Sequence, residues 1–267
     1  TAALRQKSDC EVNTGTAETT SKGEMFMYGM YGYGYGYGFD PTIILVLIGV
    51  ALSLWAQGRV NSTFSRSPRV RSMTGMTGAE AARRLLNAQG IYDVTVQPIA
   101  GELTDHYDPR TKTVNLSQSV YGATSVAAIG VAAHECGHAM QDNEGYAPLR
   151  FRSALVPAAN FGSKLSWPLI LLGLVFGGLG SPLVEIGILM FSLAVLFQLV
   201  TLPVEYNASA RAVRLLDSQG ILAGEEVSGT RKVLNAAALT YVAAAATSIL
   251  QLLRLIILFG GRNRRDN

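Results

Sequence analysis

Charged side chains are scarce in this chain of 267 residues: they account for 15% of the sequence, while apolar residues account for 49%. This balance is unusual for a soluble domain of this length, and it is typical of a small polar domain attached to membrane helices. The formal net charge is only +3, and no basic stripe interleaved with aromatic residues occurs. The composition therefore argues against a nucleic-acid-binding protein.

Cysteine is also nearly absent, with Cys10 in a polar tail and Cys136 in an apolar segment. Because the two residues are far apart and differ in setting, we expect no structural disulfide and no need for an oxidising compartment. We also expect no secretory signal peptide, since no small-residue cleavage site follows the first apolar run.

The first 40 residues lack apolar periodicity. Residues 1–24 are polar, which predicts disorder, and Met25 is a candidate start for the natural chain. Tyrosine and glycine alternate at 31–38, which indicates a flexible lead-in whose tyrosines lie at a membrane interface. We therefore expect residues 1–40 to form a disordered tail and lead-in.

Long apolar runs supply the candidate membrane helices. Residues 41–57 form the first, and residues 165–203 form a helical hairpin that is interrupted around Pro182. Residues 236–260 form a further apolar helix, which contains Arg254 and precedes a basic tail at 261–267. Since these charges oppose a simple span, this helix is either spanning or re-entrant, and the sequence predicts three or four spans.

Basic residues predict the orientation of these helices. Arg59 is the first of several arginines that closely follow the first span, whereas no Lys or Arg lies between Gly23 and that span. The positive-inside rule therefore predicts an outer N-terminus and a cytoplasmic location for residues 58–164 and 204–235.

Residues 58–164 form the one polar region of mixed pattern. A capping box at 77–80 predicts a helix that ends at Gly90. Alternating residues predict strands at 93–99 and 112–116, with turn-forming residues between them, and the second strand is expected to align an extended peptide by edge pairing. The small-residue segment 125–141 predicts a buried helix, so this region should be a small α+β domain.

The predicted buried helix carries the pattern His134-Glu135-Cys136-Gly137-His138, which matches the HExxH signature of zinc sites. Residues four apart share a helix face, so both imidazoles can reach one ion at about 2.0–2.1 Å. Glu135 is rotated by about 100° from His134, so it borders the ion and can accept a proton from bound water. We interpret Cys136 as a small buried hydrophobe and Gly137 as a site of close helix packing. The motif predicts one Zn²⁺ held by His134 and His138, with Glu135 as general base.

A catalytic zinc ion normally has three protein ligands and one open position. Glu205 is the leading third ligand, because it lies where the third apolar span emerges on the predicted side of the motif. A short helix ended by Gly220 would present it, and an ordinary interfacial carboxylate is the alternative interpretation. His106 competes for the ligand role, or it contacts substrate, stabilises an oxyanion or is structural.

Several motifs occur in a fixed order along the chain: SLWAQ at 53–57, LTDHYDPRTKTV at 103–114, AAHECGHAMQ at 132–141, FQLVTLPVE at 197–205 and LTYVA at 239–243. In these motifs the chain resembles the YugP-like family of neutral zinc metallopeptidases, which are bacterial membrane proteins. The resemblance covers most of the chain from about Met25 onward. It implies an integral protease of the bacterial inner membrane whose substrates are undefined.

A more distant likeness is to the HtpX and CAAX-processing membrane metallopeptidases. These proteins place HExxH before a membrane hairpin and a glutamate ligand after it, in an E-x-x-x-D pattern. Glu205 fits the glutamate, but Ser209 occupies the aspartate position. The likeness therefore leaves open what supports the metal ligands.

Together these observations predict a mainly α membrane protein with three or four transmembrane helices and a small cytoplasmic α+β zincin-like domain. We expect a membrane-bound zinc endopeptidase that contacts the lipid bilayer and cleaves peptide or protein substrates, with no nucleic-acid partner. The alternative is a non-catalytic metal-binding scaffold or regulator of membrane proteins. A transporter is disfavoured, because charged residues are nearly absent from the predicted spans.

Overall fold

The structure, a computed structural model of the chain, describes residues 40–66, 70–178 and 181–260, the side chains of residues 64–66 excepted. The expected disordered lead-in, apart from its last residue, and the basic tail at 261–267 therefore lie outside the described residues. The chain divides into two units, Thr1–Pro41 and Thr42–Asn267. All elements below belong to the second unit.

Helices dominate the second unit. In chain order its elements are α1 (Ile43–Arg66), α2 (Gly78–Ala88), β1 (Thr95–Ile99), β2 (His106–Asp108), β3 (Thr113–Ser117), α3 (Gln118–Tyr121), α4 (Val126–Asn143), α5 (Ala147–Gly177), α6 (Pro182–Ser218) and α7 (Glu225–Phe259). By length and composition α1, α5, α6 and α7 could each cross a membrane. The described part of the chain thus has four candidate spans, the larger of the two predicted numbers.

The four long helices pack in the order α1, α7, α6, α5. Glycine permits close approach: a Cβ on Gly187 of α6 would lie 2.6 Å from Cγ1 of Ile170 in α5. Between α1 and α7, the hydroxyl of Thr247 donates to the carbonyl of Gly49 at 3.1 Å. Small residues at the contacts are typical of helices that associate in lipid, where apolar packing alone gives little driving force.

Arg254 lies at the end of α7 that meets the start of α1. Its Nε donates to Oγ1 of Thr42 at 3.2 Å, so α7 runs antiparallel to α1. The charge therefore lies level with the first residues of α1 rather than midway along the helix. This position answers one of the two objections to a fourth span, because charges near the ends of membrane helices reach the interface.

α6 is one helix where the sequence predicted two. A span was expected to end at Pro203 and a short helix to follow, but α6 continues through Pro203 and ends at Ser218, before Gly220. Proline removes one intrahelical hydrogen bond, which a helix packed between neighbours tolerates, and the hydroxyl of Thr201 donates to the Phe197 carbonyl at 2.8 Å in the same turn. Helices α5 and α7 likewise begin before the predicted apolar segments, because hydropathy detects only the apolar part of a helix.

Residues between α1 and α5 form a three-stranded sheet with helices α2 to α4. The predicted capping box begins α2, since Thr77 and Glu80 each bond the other's backbone N–H. β3 is the central strand, parallel to β1 and antiparallel to β2, and it is buried along its length. The prediction that the strand at 112–116 aligns a peptide by edge pairing was therefore wrong, because both of its edges are occupied. The edge strand β2 was not predicted.

The motif helix α4 is held between this sheet region and the long helices. It packs against α2 on one side and against α6 and α7 on the other. The hydroxyl of Ser125 accepts a hydrogen bond from the Ala128 amide at 3.2 Å, which caps the helix N-terminus. Ala132, Ala133 and Cys136 are fully buried, so the small residues that predicted a buried helix account for its close packing.

Candidate metal centre

Three potential metal ligands from two helices converge on one point. His134 and His138 of α4 and Glu205 of α6 have ligand atoms within 4.8 Å of one another. Oε2 of Glu205 lies 3.2 Å from Nε2 of His134 and 3.7 Å from Nε2 of His138. Ligand atoms about 2.0–2.1 Å from a tetrahedral zinc ion are separated by about 3.4 Å. The spacing therefore fits a single zinc ion.

Gly137 allows α4 and α6 to approach closely enough for this convergence. A Cβ at Gly137 would lie 2.6 Å from the carbonyl oxygen of Ala208. Cys136 lies on a different face, where its thiol contacts the carbonyl of Ala82 at 3.6 Å. Burial raises the pKa of the Cys136 thiol. Gly137 thus has the predicted packing contact, and Cys136 is a buried thiol remote from the three ligand atoms.

Hydrogen bonds to the far ring nitrogens orient both imidazoles. Nδ1 of His138 lies 3.0 Å from Oε1 of Gln141 and, since an amide oxygen only accepts, this nitrogen carries the hydrogen. The hydroxyl of Ser209 lies 3.1 Å from Nδ1 of His134 and can accept from it in the same way. With hydrogens on Nδ1, the two Nε2 lone pairs face the carboxylate of Glu205. Three lone-pair atoms that face one another are stabilised by a bound cation, so these three ligand atoms fit a metal ion.

Gln141 also connects α4 to α6. Its Nε2 donates to the carbonyl of Val204 at 2.9 Å and to Oδ1 of Asn207 at 3.0 Å. These two bonds fix the orientation of the amide and so the assignment of its oxygen to His138. The side chain is fully buried, and a buried amide with all of these bonds made holds the ligand helix in place.

Sequence reasoning gave neither Gln141 nor Ser209 a supporting role. A signal was present in both cases, because Gln141 is three residues after His138 and Ser209 four residues after Glu205. Those spacings place each residue on the helix face of the ligand beside it. Ser209 thus occupies the position of the aspartate in the E-x-x-x-D pattern and contacts a metal-ligand candidate.

Two cavities meet beside the three ligands. The apolar cavity, of about 260 Å³, takes its apolar lining from Val60, Val131, Leu234 and Ala237 among others, and Asp105, Ser209 and Thr240 also line it. The polar cavity, of about 390 Å³, is lined by His106, Asp108, Arg110 and Arg152 among others. Asp105, His134, Glu135, Glu205 and Tyr241 line both cavities. The candidate metal centre therefore lies at the junction of the two cavities.

Glu135 lies at this junction without belonging to the three ligands. It is 8% exposed and, as the neighbour of His134, borders both cavities. Tyr241 of α7 borders them too, and the sequence assigned it no role. It lies in an apolar helix 106 positions after Glu135, so only the packing of α7 on α4 brings the two residues together.

His106 is not brought to the convergence point. Its Nδ1 lies 2.8 Å from the carbonyl of Thr104, and its Nε2 lies 3.2 Å from Nδ2 of Asn115. Both ring nitrogens therefore have partners within or beside the sheet. Among the described residues, the group of potential metal ligands contains Glu205 and excludes His106, although His106 does line the polar cavity.

The fold and the site define a helical protein with four candidate spans and a candidate metal centre of two histidines and a glutamate. The family described as "Putative neutral zinc metallopeptidase" matches residues 42–260, and the chain belongs to that family. It is 48% identical over 224 residues to "Putative membrane protease YugP" of Bacillus subtilis (strain 168), a match covering 84% of this chain and 98% of that protein. No solved structure shows a significant match. The resemblance to the YugP-like family is thereby confirmed.

Proposed function

We propose that this chain is a membrane-bound, zinc-dependent endopeptidase of the HExxH type. The observation that carries the proposal is the convergence of His134, His138 and Glu205 beside Glu135 at the junction of two cavities. Membership of a family described as neutral zinc metallopeptidases supports it, as does the likeness to a protein named as a membrane protease.

Each residue of the centre has a specific task in this proposal. A bound zinc ion would polarise the scissile carbonyl and lower the pKa of a bound water towards 7. His134, His138 and Glu205 would hold the ion. Glu135 takes the proton of the attacking water and passes it to the leaving amine. Because Glu135 borders both cavities, it can reach both the water and the leaving group without moving α4.

The substrate is proposed to be an extended peptide that passes through both cavities. Two cavities that meet at the centre can accommodate residues on both sides of the scissile bond, which supports an endopeptidase. β2 is an edge strand, and residues 105–110 line the polar cavity. We therefore assign the alignment of the peptide to β2, whose unpaired edge can form backbone hydrogen bonds with an added strand.

The proposed location is the cytoplasmic face of the bacterial inner membrane. From Pro182 to Glu205 α6 rises about 35 Å, close to the hydrocarbon thickness of about 30 Å. If α6 begins at the outer surface, Glu205 lies at the inner edge of the bilayer, on the side rich in arginine. Segments of membrane proteins beside the bilayer are then the substrates that most readily reach the site.

Substitution of Glu135 by glutamine tests the catalytic proposal. The full-length variant in detergent should bind as much zinc as the wild type, but cleavage of casein and self-cleavage should be lost. Glu225→Gln makes the same change at an exposed residue in the first turn of α7 and should cleave normally. Glu205→Gln should lower the zinc content, which metal analysis measures.

The alternative is a scaffold in which the metal is structural. A structural zinc site is closed by a fourth protein ligand, whereas the group found among the described residues has three. If cleavage is the same in wild type and Glu135→Gln, or if neither cleaves while both retain zinc, the catalytic proposal is wrong and the scaffold is favoured.

A further inference from the structure

Arg152 of α5 carries a buried donor that has no partner. Its Nε is shielded from solvent and donates to no acceptor in the described part of the chain. None of the ion pairs formed there includes Arg152. Arg152 as a whole is half-buried, and an arginine remains charged in proteins, so a shielded Nε without an acceptor and a charge without a counter-ion are both costly. The cost is relieved when a ligand supplies an acceptor.

The unpaired donor lies beside the candidate metal centre. Arg152 lines the polar cavity together with His134, Glu135 and Glu205. Its guanidinium carbon is 5.8 Å from the ring centroid of Phe197, on α6. This cation–π contact occupies one face of the guanidinium and holds the group between two helices. The N–H groups at its edge remain available to a molecule in the cavity.

Three of the four carboxylates that line the polar cavity are already engaged, and the fourth, Glu135, forms no ion pair with Arg152. Asp105 accepts hydrogen bonds from the amide and hydroxyl of Ser117 at 2.8 and 3.0 Å. Asp108 accepts hydrogen bonds within its own turn, and Glu205 faces the two histidines. The charge of Arg152 is therefore left for an anionic group that enters the cavity from outside.

We propose that Arg152 binds a carboxylate of the substrate on the polar-cavity side of the scissile bond. The inference rests on the proposed peptidase function and names the substrate class of that site. A neutral carbonyl would accept the hydrogen bond but leave the charge uncompensated. A carboxylate accepts the hydrogen bond, compensates the charge and matches the two-donor geometry of guanidinium. An acidic side chain or the C-terminus of the peptide can supply this carboxylate. The residues found to line the apolar cavity include no Lys or Arg, so we place the carboxylate on the polar-cavity side.

Three peptides of equal length test the proposal, each with one leucine in an alanine background. In the first, glutamate follows leucine and the C-terminus is amidated; in the second, glutamine replaces glutamate; the third is the second with a free C-terminal carboxylate. The wild-type enzyme should cleave the first or the third with kcat/KM at least about tenfold above the second, as a charge-assisted hydrogen bond predicts. Which of the two is preferred identifies the source of the carboxylate.

Variants at Arg152 should abolish this selectivity. In Arg152→Gln the ratio of kcat/KM between carboxylate and amide peptides should fall to about one. Arg152→Lys should give an intermediate ratio, because it keeps the charge but loses the two-donor geometry of the guanidinium. Arg150→Gln makes the same change at an exposed arginine two residues earlier in α5 and should keep the wild-type ratio. A wild-type ratio of one overturns the proposal, as does an unchanged ratio in Arg152→Gln. If Arg152→Gln lowers kcat/KM equally for all three peptides, Arg152 stabilises the transition state and not a substrate carboxylate, which also overturns the proposal.

A binding measurement separates this inference from the catalytic proposal. The zinc-loaded Glu135→Gln protein, full length and in detergent, should bind the fluorescein-labelled carboxylate peptide at least about tenfold more tightly than the amide peptide, as fluorescence anisotropy measures. Adding Arg152→Gln should remove that difference while the zinc content stays constant. Selective binding without any wild-type cleavage means that the proposed function fails and the inference stands. Binding without selectivity overturns the inference whether or not the wild type cleaves.

Discussion

Replacing Gly137 by alanine tests whether the contact between α4 and α6 forms the metal centre. The added Cβ would lie 2.6 Å from the carbonyl oxygen of Ala208, whereas ordinary contact begins at 3.4 Å. The helices must therefore separate by about 0.8 Å, the difference between these distances. Metal–ligand distances vary by only about 0.2 Å, so His134 and His138 could no longer share an ion with Glu205 without strain.

Zinc affinity is the discriminating measurement for this variant. Overpacking costs about 1–3 kcal/mol, and the higher helix propensity of alanine offsets about 1 kcal/mol of it, so thermal stability should change little. Zinc affinity should fall at least about tenfold, as when the orientation of ligands is disturbed. Competition with a fluorescent chelator in detergent measures the affinity, and circular dichroism measures the melting temperature.

Gly130→Ala is the matched control. Gly130 lies two turns earlier in α4, and its added Cβ would lie 2.8 Å from the methyl carbon of Thr230 on α7. That contact is with a side chain of α7, which supplies none of the three ligands, whereas the carbonyl of Ala208 belongs to the backbone of the helix that carries Glu205. The control should keep wild-type zinc affinity. If Gly137→Ala binds zinc as tightly as the wild type, the close helix contact is not what forms the centre.

Three further predictions concern the surroundings of the ligands. Ser209→Ala removes the hydroxyl beside Nδ1 of His134 and should weaken zinc binding about 10–100-fold, measured by chelator competition; wild-type affinity would contradict the supporting role. Gln141→Leu leaves Nδ1 of His138 without its acceptor, which costs about 1–3 kcal/mol, so the melting temperature should fall, and an unchanged value would contradict the reasoning. Because burial raises the pKa of its thiol, Cys136 should resist iodoacetamide at about pH 8, near the pKa of a free thiol, until the protein is denatured. Mass spectrometry of labelled peptides measures the reaction, and labelling of the folded protein would contradict the prediction.

Local signals predicted the local structure well. The capping box at Thr77, the strands on either side of the turn and the motif helix follow from patterns within a few residues, and the described structure has each of them. The order of strands did not follow, because β2 has only three residues, His106–Asp108, and is a strand only by pairing with β3. The continuity of α6 through Pro203 did not follow either, since packing rather than propensity decides whether a helix continues past proline.

The convergence of the three ligands was less predictable where its members lie farther apart along the chain. His134 and His138 share a helix face, so their spacing is sufficient to pair them. Glu205 lies 71 residues beyond His134, and its inclusion required an argument about which side of the membrane each segment reaches. Arg152 and Tyr241 were assigned no role, although Tyr241 lies within the motif at 239–243, because only the packing of α5 and α7 decides which of their residues reach the cavities.

Each of the long helices contributes a wall to the cavities at the candidate centre. Val60 comes from α1, Arg152 from α5, Glu205 from α6 and Tyr241 from α7. The site is therefore not a separate polar domain with a membrane anchor, because one of its three ligands and much of its lining belong to the candidate spans. A fragment limited to α2 through α4 would retain the whole HExxH motif but lack Glu205. It should consequently bind zinc far more weakly than the full chain, and zinc retained at full-chain affinity would show that α6 is not needed for the centre.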